Sequence, residues 1–137
     1  YSSVSYDWAG FDTVSGWNTY MTNNYQAGDI DTSGNEGCSR GVDCSGYVSR
    51  AWQLGSPYGS CNFGSIATEI NTNEMQRGDI LTKCSVHTVL FRDYGYEEGG
   101  LYVYESTTYN AYDRVVYTWN DWSRFSGYTA YAKNDAC

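Results

Sequence analysis

Five cysteines and a single histidine bound the nucleophilic chemistry open to this chain. Cysteines that pair into bridges leave with an even count, so one of the five stands apart. The run Gly41-Val42-Asp43-Cys44-Ser45-Gly46-Tyr47-Val48-Ser49-Arg50-Ala51-Trp52 marks Cys44 as the odd one. A thiolate needs a proton partner to act on a carbonyl, and His87 is the imidazole available to it. A carboxylate or amide must then orient the ring, and Glu105 is the candidate.

Each of these side chains needs an element to hold it. From Asp43 onward, Cys44, Tyr47, Val48, Ala51 and Trp52 fall at helical spacing and predict one buried face, with Gly55 as a stop. Asp43 is a natural N-cap. Cys44 then stands in the first turn, where unpaired backbone N–H groups and the positive end of the helix dipole favour a thiolate. The N–H of Cys44, supported by Asp43 and Ser45, is also placed to hold an oxyanion, and a second donor is expected from the loop Asn23–Arg40.

His87 and Glu105 sit in two β-like runs, Val86–Arg92 and Leu101–Thr107, joined by the glycine-rich acidic stretch Asp93–Gly100. Folding this hairpin near residue 96 sets Glu105 opposite His87, where opposed Cβ atoms are about 5 Å apart. Alternation then puts His87, Val89 and Phe91 on one face with Leu101, Val103 and Glu105. That stripe is expected beneath the Cys44 helix. In the resulting triad the thiolate attacks, the imidazole takes and returns a proton, and the carboxylate fixes the tautomer.

Setting Cys44 aside leaves Cys38, Cys61, Cys84 and Cys137, which allow three pairings. The preferred pairing is Cys38–Cys84 with Cys61–Cys137, because a Cys38–Cys84 bridge would fasten the approaches to both Cys44 and His87. A bridged Cys44 with a different free cysteine is the competing reading.

Elsewhere the spacing of Val14, Trp17 and Met21 predicts an amphipathic helix over about Asp12–Asn23, and a short helical piece is expected at Ser65–Ile70. Further strands are expected at Asp79–Thr82, Arg114–Trp119 and Gly127–Lys133. Helices first and strands later imply an α+β domain: N-terminal helices packed on a mostly antiparallel sheet of about five strands. At 137 residues the whole chain, 1–137, is expected to be a single domain.

Composition narrows the partners. The net charge is −8, and the eight basic residues never cluster, which argues against nucleic acid. No apolar run approaches the ~20 residues of a membrane span, so no membrane partner and a monomer are expected. The cysteine count and a start at Tyr1 without methionine suggest a secreted protein whose leader has been removed. Asp29-Ile30-Asp31-Thr32-Ser33-Gly34 begins like a calcium loop, but Arg40 stands at position twelve where a bidentate glutamate belongs. Arg77-Gly78-Asp79 reads as a turn into a strand rather than an adhesive motif. One histidine and scattered cysteines lack zinc-ligand spacing, so the expected chemistry needs no metal and no cofactor.

Gly41-Val42-Asp43-Cys44-Ser45-Gly46-Tyr47-Val48 resembles the Asp-Cys-Ser-Gly-aromatic-Val signature of NlpC-type cell-wall cysteine peptidases, a branch of the papain-like superfamily. Gly78-Asp79-Ile80-Leu81 and His87-Thr88-Val89-Leu90-Phe91 are similar to that family's Gly-Asp strand and histidine strand, and the resemblance spans about residues 40–107. It implies a papain-like fold, with Cys44 as nucleophile and His87 as base, cleaving amide bonds of peptidoglycan stem peptides. The third role maps to Glu105, where the family often has another histidine. Many members carry a Tyr and Trp-Gly-Gly segment just before the motif, where this chain has Ala27–Cys38.

The function expected is therefore a secreted cysteine hydrolase of peptide or peptidoglycan amide bonds. Acyl transfer, of the transglutaminase or acyltransferase kind, uses the same thioester and is the alternative chemistry. A binding module is the alternative class, with fifteen tyrosines forming a glycan or protein groove beside a vestigial site.

Overall fold

In the computed structural model, residues 4–34, 37–95 and 99–134 are described. The chain forms α1 (Val14–Thr22), a short ribbon β1 (Gln26–Ala27) and β2 (Ser39–Arg40), and α2 (Cys44–Ala51). The strands β3 (Ala67–Ile70), β4 (Ile80–Lys83), β5 (His87–Gly95), β6 (Gly100–Thr107), β7 (Arg114–Asp121) and β8 (Thr129–Lys133) follow. They build one six-stranded sheet in the order β3-β8-β4-β5-β6-β7, every neighbouring pair antiparallel. The architecture is thus α+β, with six strands where about five were expected. β1 and β2 pair in parallel outside it.

The additional strand replaces the helical piece expected at Ser65–Ile70. A 3-10 turn at Phe63–Ser65 leads into β3, which pairs along β8 from Ala67–Lys133 to Ile70–Ala130. The apolar spacing of Ile66 and Ile70 suits a helix, but the open edge of β8 offers a ladder of backbone partners that a lone helical turn cannot match.

Each helix starts at a side-chain cap. Asp43 accepts the Gly46 N–H at 2.6 Å, and Thr13 accepts the Gly16 N–H at 3.0 Å. α1 buries no residue completely, although Trp17 packs against the core and donates its indole N–H to Ser5 Oγ at 3.0 Å. In α2 the buried residues are Ser45 through Ser49, followed by Trp52, while Ala51 is exposed. The covered stripe therefore runs through Ser45, Val48, Ser49 and Trp52, rotated from the one expected, because Ser49 is held inside by bonds to the carbonyl of Ser45 and the N–H of Tyr58.

Two apolar clusters divide the sheet. One joins Tyr47, Val48 and Trp52 to Val42, Phe63, Ile80 and Val115, with Leu90 and Tyr104 against it. The other joins Leu81, Val89, Phe91, Leu101 and Val103 to Met75, Phe125 and Ala130. Ile80 and Leu81, Val89 and Leu90, and Val103 and Tyr104 are successive strand residues, so the clusters lie on opposite faces. The stripe of Val89, Phe91, Leu101 and Val103 is thus covered by the C-terminal turns, and α2 covers the other face. This corrects the expectation that the stripe lies beneath α2.

The hairpin register also differs. Gly95 pairs with Gly100 and Tyr94 with Leu101, then a bulge between Phe91 and Asp93 shifts the pairing to Phe91–Val103 and Leu90–Tyr104. Glu105 is consequently level with Val89, two residues from His87 rather than opposite it. A shift of two preserves the face, which is why the stripe survives. The midpoint expected at residue 96 lies outside the described residues.

The cysteines do not pair as Cys38–Cys84 with Cys61–Cys137. Cys61 and Cys84 form the disulfide, with Cα atoms 4.4 Å apart, and Cys38 and Cys44 are free thiols. Cys38 is exposed just before β2, and Cys84 opens the turn into β5, which leaves Cys61 as its neighbour. Cys137 lies outside the described residues. Among the described residues no helix is long and apolar enough to cross a membrane.

Candidate active site

The N-terminal segment positions the start of α2. Asp7 N–H donates to the Val42 carbonyl, Val42 N–H to that of Ser5, and Asp43 N–H to that of Gly10, each at 3.1 Å. A Cβ on Gly46 would strike the Gly10 carbonyl oxygen, and one on Gly41 would strike that of Ser5. The motif's glycines are therefore demanded by backbone passing against backbone. From the sheet, Ser106 Oγ donates to the Val42 carbonyl at 2.7 Å, fixing β6 to the residue two before the cysteine.

His87 opens β5 at the end of the sheet, where its ring meets groups from both faces. Its Nε2 lies 2.9 Å from Glu105 Oε1, and the Cys44 side chain is close enough to the same ring to act on it. Because Nε2 is engaged by Glu105, Nδ1 is the nitrogen left for the thiol. Burial pulls the imidazole pKa down, but bonds to Cys44 and Glu105 and their negative charges outweigh it, raising the pKa to about 9. At neutral pH the ring is an imidazolium. The three residues singled out in the sequence are thus brought together.

Glu105 is fully buried and heavily partnered. Arg124 grips both its oxygens, Nη2 to Oε1 and Nη1 to Oε2, at 2.7 Å each, and Thr118 Oγ1 donates to Oε2 at 2.8 Å. Arg124 Nη1 also reaches Asn120 Oδ1 at 2.7 Å, and its guanidinium lies 4.1 Å from the centre of the Tyr109 ring. Burial raises the Glu105 pKa, yet the bonds and charges of Arg124 and His87 prevail and lower it to about 2. The carboxylate is ionised throughout the neutral range and cannot rotate.

Arg124, Thr118 and Asn120 were missed at the sequence level. Thr118 and Asn120 pair with Val103 and Leu101 and so share the face of Glu105. Two polar residues aligned with an apolar stripe are a legible sign that something polar is buried there. Arg124 lies in a short 3-10 turn, Trp122–Phe125, and carries no such sign.

A cleft of about 400 Å³ opens over Cys44 and His87. Its walls come from Tyr6 and Trp8, from Asp43 and Ser45, from Gly59–Asn62, from Ser85 and Val86, and from Thr107 and Thr108. The described residues of the loop Asn23–Arg40, expected to give an oxyanion donor, do not line it. Tyr6 lines it instead: burial first, then the charges of Cys44, Asp43 and Asp7, raise its phenol pKa well above the usual value, so it remains an O–H donor.

Asp43 does double service, accepting Gly46 N–H and lying 3.3 Å from Ser45 Oγ; burial raises its pKa against those bonds. The disulfide joins two cleft walls. Beside it, Thr82 Oγ1 donates to the Ser60 carbonyl at 2.9 Å, and Ser85 N–H donates to Ser60 Oγ at 2.9 Å. The turn before His87 is thereby tied to residues 59–62. In comparisons with protein-family models, curated proteins and solved structures, the chain matched none.

Proposed function

We propose that the protein is a secreted cysteine hydrolase of the NlpC-like, papain-like kind, cleaving amide bonds of peptidoglycan stem peptides through Cys44, His87 and Glu105. The observation that carries this reading is the continuous contact from the Cys44 side chain through the His87 ring to the ionised Glu105. The peptidoglycan substrate rests on the motifs at 41–48, 78–81 and 87–91. Secretion rests on the Cys61–Cys84 bridge.

In the reaction, the Cys44 thiolate forms a bond to the amide carbonyl carbon, and the electron pair of the C=O moves to oxygen. The backbone N–H of Cys44 and the Tyr6 O–H face that charge. The His87 imidazolium gives its proton to the amide nitrogen, the C–N bond breaks, and an amine leaves a thioester on Cys44. A water molecule then attacks, with neutral His87 taking its proton, and the acid departs as the thiolate returns. Glu105 stabilises the imidazolium throughout. Arg124 keeps the carboxylate charged and pointed.

The test is digestion of a stem peptide containing D-amino acids, with products identified by mass, using the wild-type chain and Cys44→Ala. Cleavage abolished by the substitution supports the hydrolase. Products that carry an added amine, in place of the free acid, would reassign the chemistry to acyl transfer. Equal traces for both chains would remove the enzyme reading.

A further inference from the structure

Two buried carboxylate oxygens, Asp7 Oδ1 and Asp29 Oδ2, have no hydrogen-bond partner in the protein. We propose that they are ligands of an oxygen-coordinated divalent cation of the calcium kind, held between the N-terminal segment and the loop that follows β1. A charged oxygen left buried and unpaired is costly, and two on neighbouring residues mark a positive group that the chain itself does not supply. No step of the amide chemistry uses either of them.

The backbone brings the two residues together. Asp7 and Asp29 are partners in a parallel β-bridge, with Trp8 N–H donating to the Asp29 carbonyl at 2.9 Å and Asp29 N–H to that of Tyr6 at 3.2 Å. Partners in a parallel pair carry their side chains on the same side. Gly28 permits the close approach: its φ is 82°, and a Cβ there would strike the Tyr6 carbonyl oxygen. Asp7 is 8% exposed and borders a cleft of about 350 Å³ shared with Asp12 and Ser39. Asp29 Oδ1 accepts the Asp31 N–H at 3.0 Å, so Oδ2 is the oxygen left over.

Charge and coordination chemistry set the ligand class. Burial, then the charges of Asp12 and Asp29, raise the Asp7 pKa against the pull of the Ser39 hydroxyl and of Arg40. Arg40 Nη1 is engaged by the Gly37 and Ser39 carbonyls at 3.0 and 2.7 Å, and its guanidinium lies 4.3 and 4.5 Å from the centres of the Tyr20 and Tyr25 rings. One guanidinium thus faces three carboxylates, and a divalent ion restores the balance. Among the described residues no three histidine, cysteine, aspartate or glutamate side chains are grouped to hold a metal. Zinc is therefore not the ion, whereas calcium completes its shell with carbonyl and water oxygens. Asp29 also opens the calcium-like stretch whose twelfth position is Arg40; Asp7 supplies from outside that loop the carboxylate missing at its end. Tyr6 and Trp8 flank Asp7 and line the cleft over Cys44, so a cation held there fastens one wall of that cleft. This consequence rests on the hydrolase reading. The cation site itself does not.

The experiment uses the full chain with calcium and with terbium(III), an ion that occupies calcium sites and emits when excited through a nearby indole, here Trp8. The expected result is saturable terbium emission, displaced by calcium at about 0.1–1 mM, the range of extracellular calcium modules. Affinity should fall about tenfold or more in Asp7→Asn and in Asp29→Asn, and stay unchanged in Glu69→Gln, which is exposed on β3. Urea unfolding separates loss of a ligand from loss of the fold. In EDTA, Asp7→Asn should be at least as stable as wild type, because a buried unpaired charge has gone; in millimolar calcium the wild type should be the more stable chain. The same ranking in both conditions, or terbium emission indifferent to both substitutions, overturns the site. Wild-type cleavage of a stem peptide is followed in parallel, in calcium and in EDTA. Calcium binding without cleavage sinks the hydrolase and leaves the site, and cleavage without calcium binding sinks the site alone.

Discussion

Replacing Glu105 by glutamine keeps the side chain's shape and removes its charge from a site with no access to water. The His87 side chain is 12% exposed and that of Glu105 0%, so the pair is not screened by solvent. His87 titrates at about 9 in the folded protein against 6.5 when free. A raised pKa means stability fully present below pH 6.5 and lost as pH rises through 9, and this interval corresponds to about 3 kcal/mol. Glu105, held at about 2 against 4.5, contributes above pH 4.5 and loses its contribution as pH falls through 2. The two figures describe the same contact from either end and do not add.

In Glu105→Gln, burial opposes the imidazolium with Cys44 as its remaining support, and Arg124 is left a buried charge without a carboxylate. Breaking a buried pair by removing one partner costs about 3–5 kcal/mol, and the amide oxygen, which still accepts one bond, puts the expected loss at about 3 kcal/mol. The His87 midpoint should fall by about one unit or more, the equivalent of about 1.4 kcal/mol. The assay is favourable because the chain has one histidine, so its imidazole C–H gives a single resonance to follow against pH. Urea unfolding at pH 6 and pH 9 supplies the stability. A midpoint that stays at about 9, with stability within about 0.5 kcal/mol of wild type, would refute the coupling of His87, Glu105 and Arg124.

Three further substitutions probe the scaffold and the oxyanion site. Cys61→Ser with Cys84→Ser opens a loop spanning a sequence separation of 23, and chain entropy predicts a loss of about 3 kcal/mol, read as a lower urea midpoint; unchanged unfolding would contradict it. Gly46→Ala drives a methyl group into the Gly10 carbonyl and should cost more than the roughly 1 kcal/mol that alanine normally gains over glycine inside a helix, so a stabilised variant would show the contact to be misplaced. Tyr6→Phe removes an oxyanion donor and should lower kcat by about a hundredfold or more with little change in KM; a change confined to KM would place Tyr6 in binding instead.

Much of the site was readable because its residues follow short-range rules. Asp43 caps, Cys44 follows in the first turn, and the alternation that grouped His87, Val89 and Phe91 with Leu101, Val103 and Glu105 depends on parity alone. Parity is indifferent to a shift of two, so the face was right although the register was not. The bulge at Phe91–Asp93 has no local signature, and it decides which residues stand opposite. The disulfide and the grip of Arg124 on Glu105 join segments 23 and 19 residues apart. Such pairings depend on where the sheet places its ends. β3 was misread because residues with helix-like spacing were claimed by a free strand edge.

The central claim is that Cys44 is a nucleophile activated by His87, and alkylation tests it most directly. At pH 7 iodoacetamide should label Cys44 faster than the exposed Cys38. Peptide mapping separates it from Cys38, the other free thiol among the described residues. In His87→Ala the fast phase at Cys44 should vanish while labelling of Cys38 is unchanged. Labelling of Cys44 no faster than that of Cys38, and the same in both chains, would contradict the pairing of Cys44 with His87 and the hydrolase built on it.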